Sequence, residues 1–484
     1  MEIEENLIEQ KEPTKRFVIK KSIRVVILIL LYLTICVQGM TVTIFNLANA
    51  SIREEIRITE KSHEIFNIIF HFGEFISLIC LMIVMRRPER KSTVLFSLFG
   101  SASLISFFQF SDNQMILMPA YFFTGYCVMS INIYIILWVD QFGMFSYKTL
   151  FLSLINLSKA IGVTLGHLLN YIYTPKGFKS SFLIETIVLF ALGLCFIPIH
   201  KVYFQSDLLL YKGKFGKGEF TFKAKTQKEG DEDLQSCEGA ESIYRYRRSG
   251  ASTKDFDLLF IIYQFFKNRI FMSGLFANAI MISATGGLNR YVMSYINAYF
   301  SEPILDEWRL LKNKAIFNLV GPFCATVIIW FISFIFGNYH SKTTPALMFL
   351  SYLLTTICGN LVPNLTNNAY RTLVCLLYTM GSSAMVPYLQ GVNLSGGTPS
   401  RKPFGVIIAT SGGLFLGGLP APYIYNTLLK SYPTEEVLRI FMRFLWVGAF
   451  FDFMMMVFKY QAYPKKPEIK KNVEPPVELS EKKI

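Results

Sequence analysis

Charge is scarce in this sequence. Asp, Glu, Lys and Arg supply only 17% of its 484 residues, against roughly 25% in ordinary soluble domains. With 52% hydrophobic residues and a mean hydropathy of +0.38, the chain is too apolar for a water-soluble fold and reads as a polytopic membrane protein. The five histidines and eight cysteines show no metal-ligand spacing. Cys36, Cys80, Cys127, Cys195 and Cys358 stand singly inside apolar runs, where packing is the expected role rather than disulfides or metal binding. A Walker-type phosphate loop is missing, as is any nucleophile motif, so the chain is not expected to hydrolyse ATP, to be an enzyme or to need a cofactor. It also lacks an arginine-rich voltage-sensing helix and a filter-like loop, which counts against a gated channel.

Twelve apolar runs are present instead. At about 20 residues per span, helices are expected near 23–46, 64–86, 93–110, 115–138, 147–173, 180–203, 268–298, 312–336, 343–363, 369–394, 403–428 and 436–460. The first run is too long for a signal-peptide core and lacks a clear cleavage site, so it is expected to be retained. The layout is an N-terminal segment 1–22, a helical half 23–203, a linker 204–267, a second helical half 268–460 and a tail 461–484. The linker is rich in Gly, Lys and Glu and is expected to be mostly flexible. Its end, "KDFDLLFIIYQFFKNR", has the pattern of an amphipathic interfacial helix.

The net charge of +14 would point to nucleic acid in a soluble protein. Here the basic residues other than Arg309, Lys312 and Lys314, which are an exception on the opposite side, gather at both termini, in "RRPERK", in the linker and in "SRK", on one side of the predicted topology. By the positive-inside rule that side is cytoplasmic, with both termini on it, in the plasma membrane or an organelle membrane. Membrane lipids are the expected surroundings, and a nucleic-acid partner is not expected.

Six helices, a cytoplasmic linker and six more helices form the plan of two repeats related by an axis along the membrane normal. In this order of elements the chain resembles the major facilitator superfamily. "MRRPERK" stands where that family has its basic loop, though the usual Gly and Asp are missing, and "GPFCATVIIWFISFIFGNYHSK" looks like the equivalent passage through helix 8. "AIGVTLGHLLNYIY" is similar to the Gly-spaced motif of helix 5. "WVDQF" and "GGLFLGGLPAPYIYNTL" look like the branch around Spinster-type and organic-anion transporters. The resemblance implies an all-α fold of twelve transmembrane helices in two six-helix bundles that expose a central cavity alternately to each side. It also implies a small or amphipathic, lysolipid-like or anionic solute as cargo.

Polar side chains inside apolar runs locate the candidate site, because an ionised group in hydrocarbon costs several kcal/mol unless it faces protein or water. At about 100° per residue, Asn156, Lys159, His167 and Asn170 fall within roughly 80° of one another on helix 5. Asn67, His71 and Glu74 fall within about 60° on helix 2. Glu74 and Lys159 lie at similar depth and can neutralise each other. Two roles stay open: a structural lock, or a cavity lining in which Glu74 takes a coupling proton, His71 relays it and Lys159 attracts an anion. Asn132, Asn278, Asn289 and Gln390 are further cavity candidates. Asn278, Thr285 and Asn289 share one face of helix 7, and Arg290 lies about 100° off it and either snorkels outward or contacts an anion.

"SATGGLNR" is expected to interrupt helix 7 at Gly286 and Gly287, forming a gate. Gly162 and Gly166, and Gly413 and Gly417, have the spacing of close helix crossings. Pro420 and Pro422 are expected to bend helix 11 beside Gly417. Arg86, Arg87, Arg90 and Asp140 form a candidate cytoplasmic latch. Asp452 is expected to meet a packing partner. A facilitative uniporter and a non-transporting receptor or scaffold on the same fold remain as competing functions.

Overall fold

The computed structural model describes residues 17–19, 21–47, 60–84, 90–143, 147–173, 179–204, 209–212, 220–223, 258–299, 307–336, 339, 343–365, 367–395 and 402–462. In chain order the helices are α1 (Lys21–Leu47), α2 (Glu60–Val84), α3 (Lys91–Phe110), α4 (Gln114–Phe142), α5 (Lys148–Tyr173) and α6 (Lys179–Phe196). They are followed by α7 (Leu258–Lys267), α8 (Arg269–Tyr299), α9 (Glu307–Phe336), α10 (Thr344–Leu361) and α11 (Asn368–Ser395). The last are α12 (Lys402–Gly413), a π-turn over Leu414–Gly418, α13 (Pro420–Leu429) and α14 (Thr434–Ala462).

Among the described residues, ten helical spans are long and apolar enough to cross a membrane, and Ile68–Val84 and Arg269–Thr285 are two shorter apolar spans. The amphipathic segment before α8 is the short helix α7. Within the stretch expected to be flexible, strands Leu209–Lys212 and Phe220–Lys223 pair antiparallel. The second of these also pairs with Phe17–Ile19 ahead of α1. Composition hid these strands because the stretch around them is charged and rich in glycine.

The helices sort into two bundles, each with its own core. In the first, α1 packs on α5 and α6, α2 on α4, and α3 on α4 and α6; in the second, α8 packs on α14, α10 on α11 and α14, and α9 on α11. Glycine sets how closely these pairs approach. A Cβ on Gly162 of α5 would lie 1.8 Å from the carbonyl oxygen of Cys36 in α1, and one on Gly73 of α2 would lie 2.0 Å from that of Phe122 in α4. Backbone cannot yield to such a contact as a side chain would, so the sequence-read Gly162 lies in a true helix crossing. Gly417 plays the same part in the second bundle, where an added Cβ would lie 2.1 Å from the carbonyl oxygen of Ala279 in α8.

Two seams join the bundles: α5 meets α9 and α11, and α2 meets α12 and the π-turn. At the end of the molecule carrying the basic loops, Tyr339, Leu394, Val406 and Ile407 of the second half enter the core of the first half. That end is therefore packed shut.

Candidate functional site

On α5, exposed Ile161, Leu165, Leu168 and Ile172 mark the lipid-facing arc. Lys159 is also exposed, yet it stands roughly 150° from the centre of that arc at 100° per residue. Lys159 therefore lies on the inward side of α5, near the middle of the helix. Among the described residues it forms no ion pair. Leu152, two turns toward the basic end on the same side, is fully buried.

Of the pairing that the sequence left open between Glu74 and Lys159, none forms among the described residues. The Oε2 of Glu74 lies 2.7 Å from Nδ1 of His71, one turn away on α2. A partner on the same helix needs no inter-helix approach and keeps the carboxylate buried, with a side-chain exposure of 12% against 41% for the histidine. The pair thus joins a buried acid to a partly exposed imidazole. Asn156, one turn from Lys159, is half-buried and its Nδ2 has no hydrogen-bond partner among the described residues. Asn132 on α4 is half-buried. In the second half, Oε1 of half-buried Gln390 is likewise unpartnered among the described residues. Asn278 rests on α12, its Nδ2 2.4 Å from where a Cβ on Gly413 would be. Thr285 and Tyr378 share a hydrogen bond of 3.3 Å.

Several expectations change. Helix α8 runs without a break through Gly286 and Gly287; two glycines lower helix propensity by about 1 kcal/mol each, which packing along a 31-residue helix overrides. The side chains of Asn289 and Arg290 lie outside the described residues, as do those of Asn67, Asn170 and Pro422 and the whole of Arg86 and Arg87. The irregularity of the eleventh span comes earlier than the prolines alone suggest. Leu419 N–H donates to the Leu414 carbonyl at 2.9 Å, closing the π-turn, and Pro420 then opens α13 at its first position, where its missing N–H costs nothing. The Gly417 carbonyl accepts from Ser283 Oγ of α8 at 3.0 Å. At this level Phe75 of α2 stacks on Phe415, ring centroids 5.5 Å apart, across the seam between the halves.

Asp140 at the end of α4 is engaged by the hydroxyl of Tyr339 from the other half. It also lies 3.5 Å from Lys148 Nζ. Arg90 is buried. Asp452 is fully buried on α14 within electrostatic reach of Tyr352, and neither carboxylate oxygen is hydrogen-bonded among the described residues.

Three residues escaped the sequence reading. Gln38 on α1 is 3% exposed with both amide atoms unpartnered among the described residues. Glu185 on α6 is fully buried and accepts a hydrogen bond from Thr41 of α1. Tyr339 closes the basic end. Glu185 was visible as a lone charge in an apolar run, the same signal that singled out Lys159. Gln38 is a lone amide in such a run, and Tyr339 sits in a loop with no distinguishing pattern.

Two membrane-embedded bundles shut against each other at one end, with an ammonium that forms no ion pair among the described residues and a buried acid inside the first bundle, are parts a membrane transporter would have. The sequence profile of the Major Facilitator Superfamily matches residues 31–422, and the chain belongs to that superfamily; it is a transporter, not an enzyme. No curated protein matches it in sequence. Among solved structures, it is similar to the transporter FucP in the outward conformation, with 13% identity and a TM-score of 0.62 over 89% of this chain and 99% of that one. The proton:xylose symporter XylE is 12% identical with a TM-score of 0.65, covering 92% of this chain and 96% of that one. The human organic anion transporter MFSD10 is 14% identical with a TM-score of 0.58, covering 90% and 100%. At these identities the likeness is one of fold.

Proposed function

We propose that the chain is a secondary active transporter of a small or amphipathic organic anion, coupled to protons. The two bundles, 23–203 and 268–460, rock about the space beside Lys159. The observation that carries this reading is Lys159 on the inward arc of α5, exposed and without an ion-pair partner among the described residues. An ammonium without a carboxylate partner in low dielectric is a strong attractor for an anion. Glu74 and His71 supply the coupling proton: the exposed imidazole exchanges with water, and the buried carboxylate holds the proton through the transition. Similarity in fold to a proton:xylose symporter and an organic anion transporter supports both halves of the reading.

The basic end is cytoplasmic, with both termini there, in a plasma or organelle membrane. Asp140 and Arg90, with Arg86 and Arg87, belong to the latch on that face. Gly417 and Pro420, with Pro422, serve as the hinge of the eleventh span, where the π-turn leaves the ladder adjustable. The protein is reconstituted in liposomes and uptake of labelled organic anions measured for wild type, Lys159→Gln and Glu74→Gln. Lys159→Gln abolishes anion uptake while the protein stays folded, and Glu74→Gln loses concentrative uptake but keeps exchange. Concentrative uptake with an unchanged pH profile in Glu74→Gln would make the protein a uniporter or place coupling elsewhere. Normal anion uptake by Lys159→Gln would refute the assignment of Lys159.

A further inference from the structure

Glu185 has no place in the reading above. It is fully buried on α6, no ion pair reaches it among the described residues, and its Oε2 has no hydrogen-bond partner among them. A carboxylate left in low dielectric without a cation is costly. Its one printed contact suits both charge states. Thr41 of α1 bonds Oε1, and the carbonyl oxygen of Val37 lies 3.2 Å from the same hydroxyl. The threonine thus has one hydrogen and two acceptors within reach. Given to Glu185, that hydrogen serves a carboxylate; turned to Val37, it leaves Oγ1 to accept from a protonated carboxyl.

The site is linked to Glu74 through Tyr121 of α4, which is 2% exposed and within electrostatic reach of both carboxyls. Ring packing fixes it there. Its ring lies 4.8 Å from that of Phe70, one turn before Glu74 on α2, and 6.1 Å from that of Phe108 on α3. Phe108 in turn stacks at 5.2 Å on Phe182, one turn before Glu185 on α6. Two acids therefore flank one buried tyrosine inside the first bundle. Few other groups face this region. On α5, His167 is buried and follows Gly166, which meets Thr43 of α1; Gln38 stands one turn before Thr41 on α1. Lys91, the only titratable side chain of α3, and Arg24 of α1 are held at the basic end by backbone carbonyls. Lys179 of α6 pairs with Asp112 at the opposite end.

We infer that Glu185 and Thr41 form a second proton-binding site inside the first bundle, and that Glu185 and Glu74 hold one coupling proton between them. The inference rests on the reading of the transporter as proton-coupled. Two like charges on either side of Tyr121 oppose each other's ionisation, so the pair titrates as a unit. The proton comes from water and returns to it by way of partly exposed His71 beside Glu74, while Thr41 turns its hydrogen from one acceptor to the other as Glu185 changes charge.

The test titrates the full chain in lipid vesicles while recording the infrared carbonyl band of protonated carboxylic acids. Wild type, Glu185→Gln, Glu74→Gln and Thr41→Val are compared, each with its melting curve. The wild type shows an acid band, lost as pH rises, that is missing from Glu185→Gln. Thr41→Val changes the frequency of that band, which assigns it even where Glu185→Gln folds poorly, and holds it to higher pH by about one unit, because the ionised form loses the stronger hydrogen bond. Glu74→Gln removes the opposing charge, so the band is lost at a pH lower by about one unit. In liposomes Glu185→Gln loses concentrative uptake. An acid band identical in wild type and Glu185→Gln overturns the inference, as does a Glu185 band that no pH removes from the folded protein. A titration unchanged in both Glu74→Gln and Thr41→Val also overturns it, as does unchanged concentrative uptake by Glu185→Gln. Concentrative uptake that survives in Glu74→Gln with its pH profile intact instead sinks the underlying reading of coupling through Glu74.

Discussion

Tyr339→Phe isolates the contact that shuts the basic end. The ring is fully buried and packs on Gly391, where an added Cβ would lie 2.4 Å from Cβ of Tyr339, so phenylalanine keeps the packing. The substitution removes only the hydroxyl that reaches Asp140 across the two halves. Asp140 retains Lys148, 3.5 Å away on its own half. A hydrogen bond to a charged group contributes about 1.5–3 kcal/mol. Because this one exists only while the halves are closed at that end, its loss should shift the closed-to-open equilibrium by about 10- to 150-fold. Pulsed spin-label distances between the bundles at the basic end read this directly, and the open population should rise while melting of the protein changes little. Distances identical to wild type would refute the idea that the Tyr339 contact holds this end shut.

Other outcomes follow from the same geometry. Gly162→Ala drives a methyl into the Cys36 carbonyl; overpacking of this kind costs about 1–3 kcal/mol or more, and a drop in thermal stability checks it. Asp452→Leu removes a fully buried carboxyl whose oxygens lack hydrogen-bond partners among the described residues; relief of about 1–3 kcal/mol should appear as a higher melting temperature, and a lower one would mean the carboxyl is engaged. His71→Phe removes the side-chain partner 2.7 Å from the Glu74 carboxylate, so concentrative uptake should fall while the melting temperature changes little. Phe415→Ala unstacks the ring from Phe75 at the π-turn, and uptake should become leakier without loss of folding.

Much of the architecture was legible because membrane burial writes itself as length and hydropathy. All twelve expected spans contain a helix, and the spacing of Gly162 and Gly166 marked a real crossing, where Gly166 meets Met40 and Thr43 of α1. The sequence singled out Glu74, His71 and Lys159 as polar residues inside apolar spans, and of these Glu74 is buried. It could not say who pairs with whom. Glu74 and Lys159 share depth, but His71 lies one turn from the acid on the same helix, and local geometry wins over a charge on another helix. Contacts between the halves were likewise illegible: Tyr339 and Asp140 are 199 residues apart, and nothing local to either announces the other. Gly286 and Gly287 misled for the opposite reason, because a weak propensity was read as a break in a helix that tertiary packing holds.

The central claim is that Lys159 lines a space that opens to one side of the membrane at a time. A single cysteine at Lys159, in a chain with the eight native cysteines replaced, is exposed to a membrane-impermeant thiol reagent from each side of oriented vesicles. With the basic end shut, labelling should come from the opposite side, and adding Tyr339→Phe should open it from the basic side. Labelling only by lipid-soluble reagent, in either background, would put Lys159 against lipid and contradict the account.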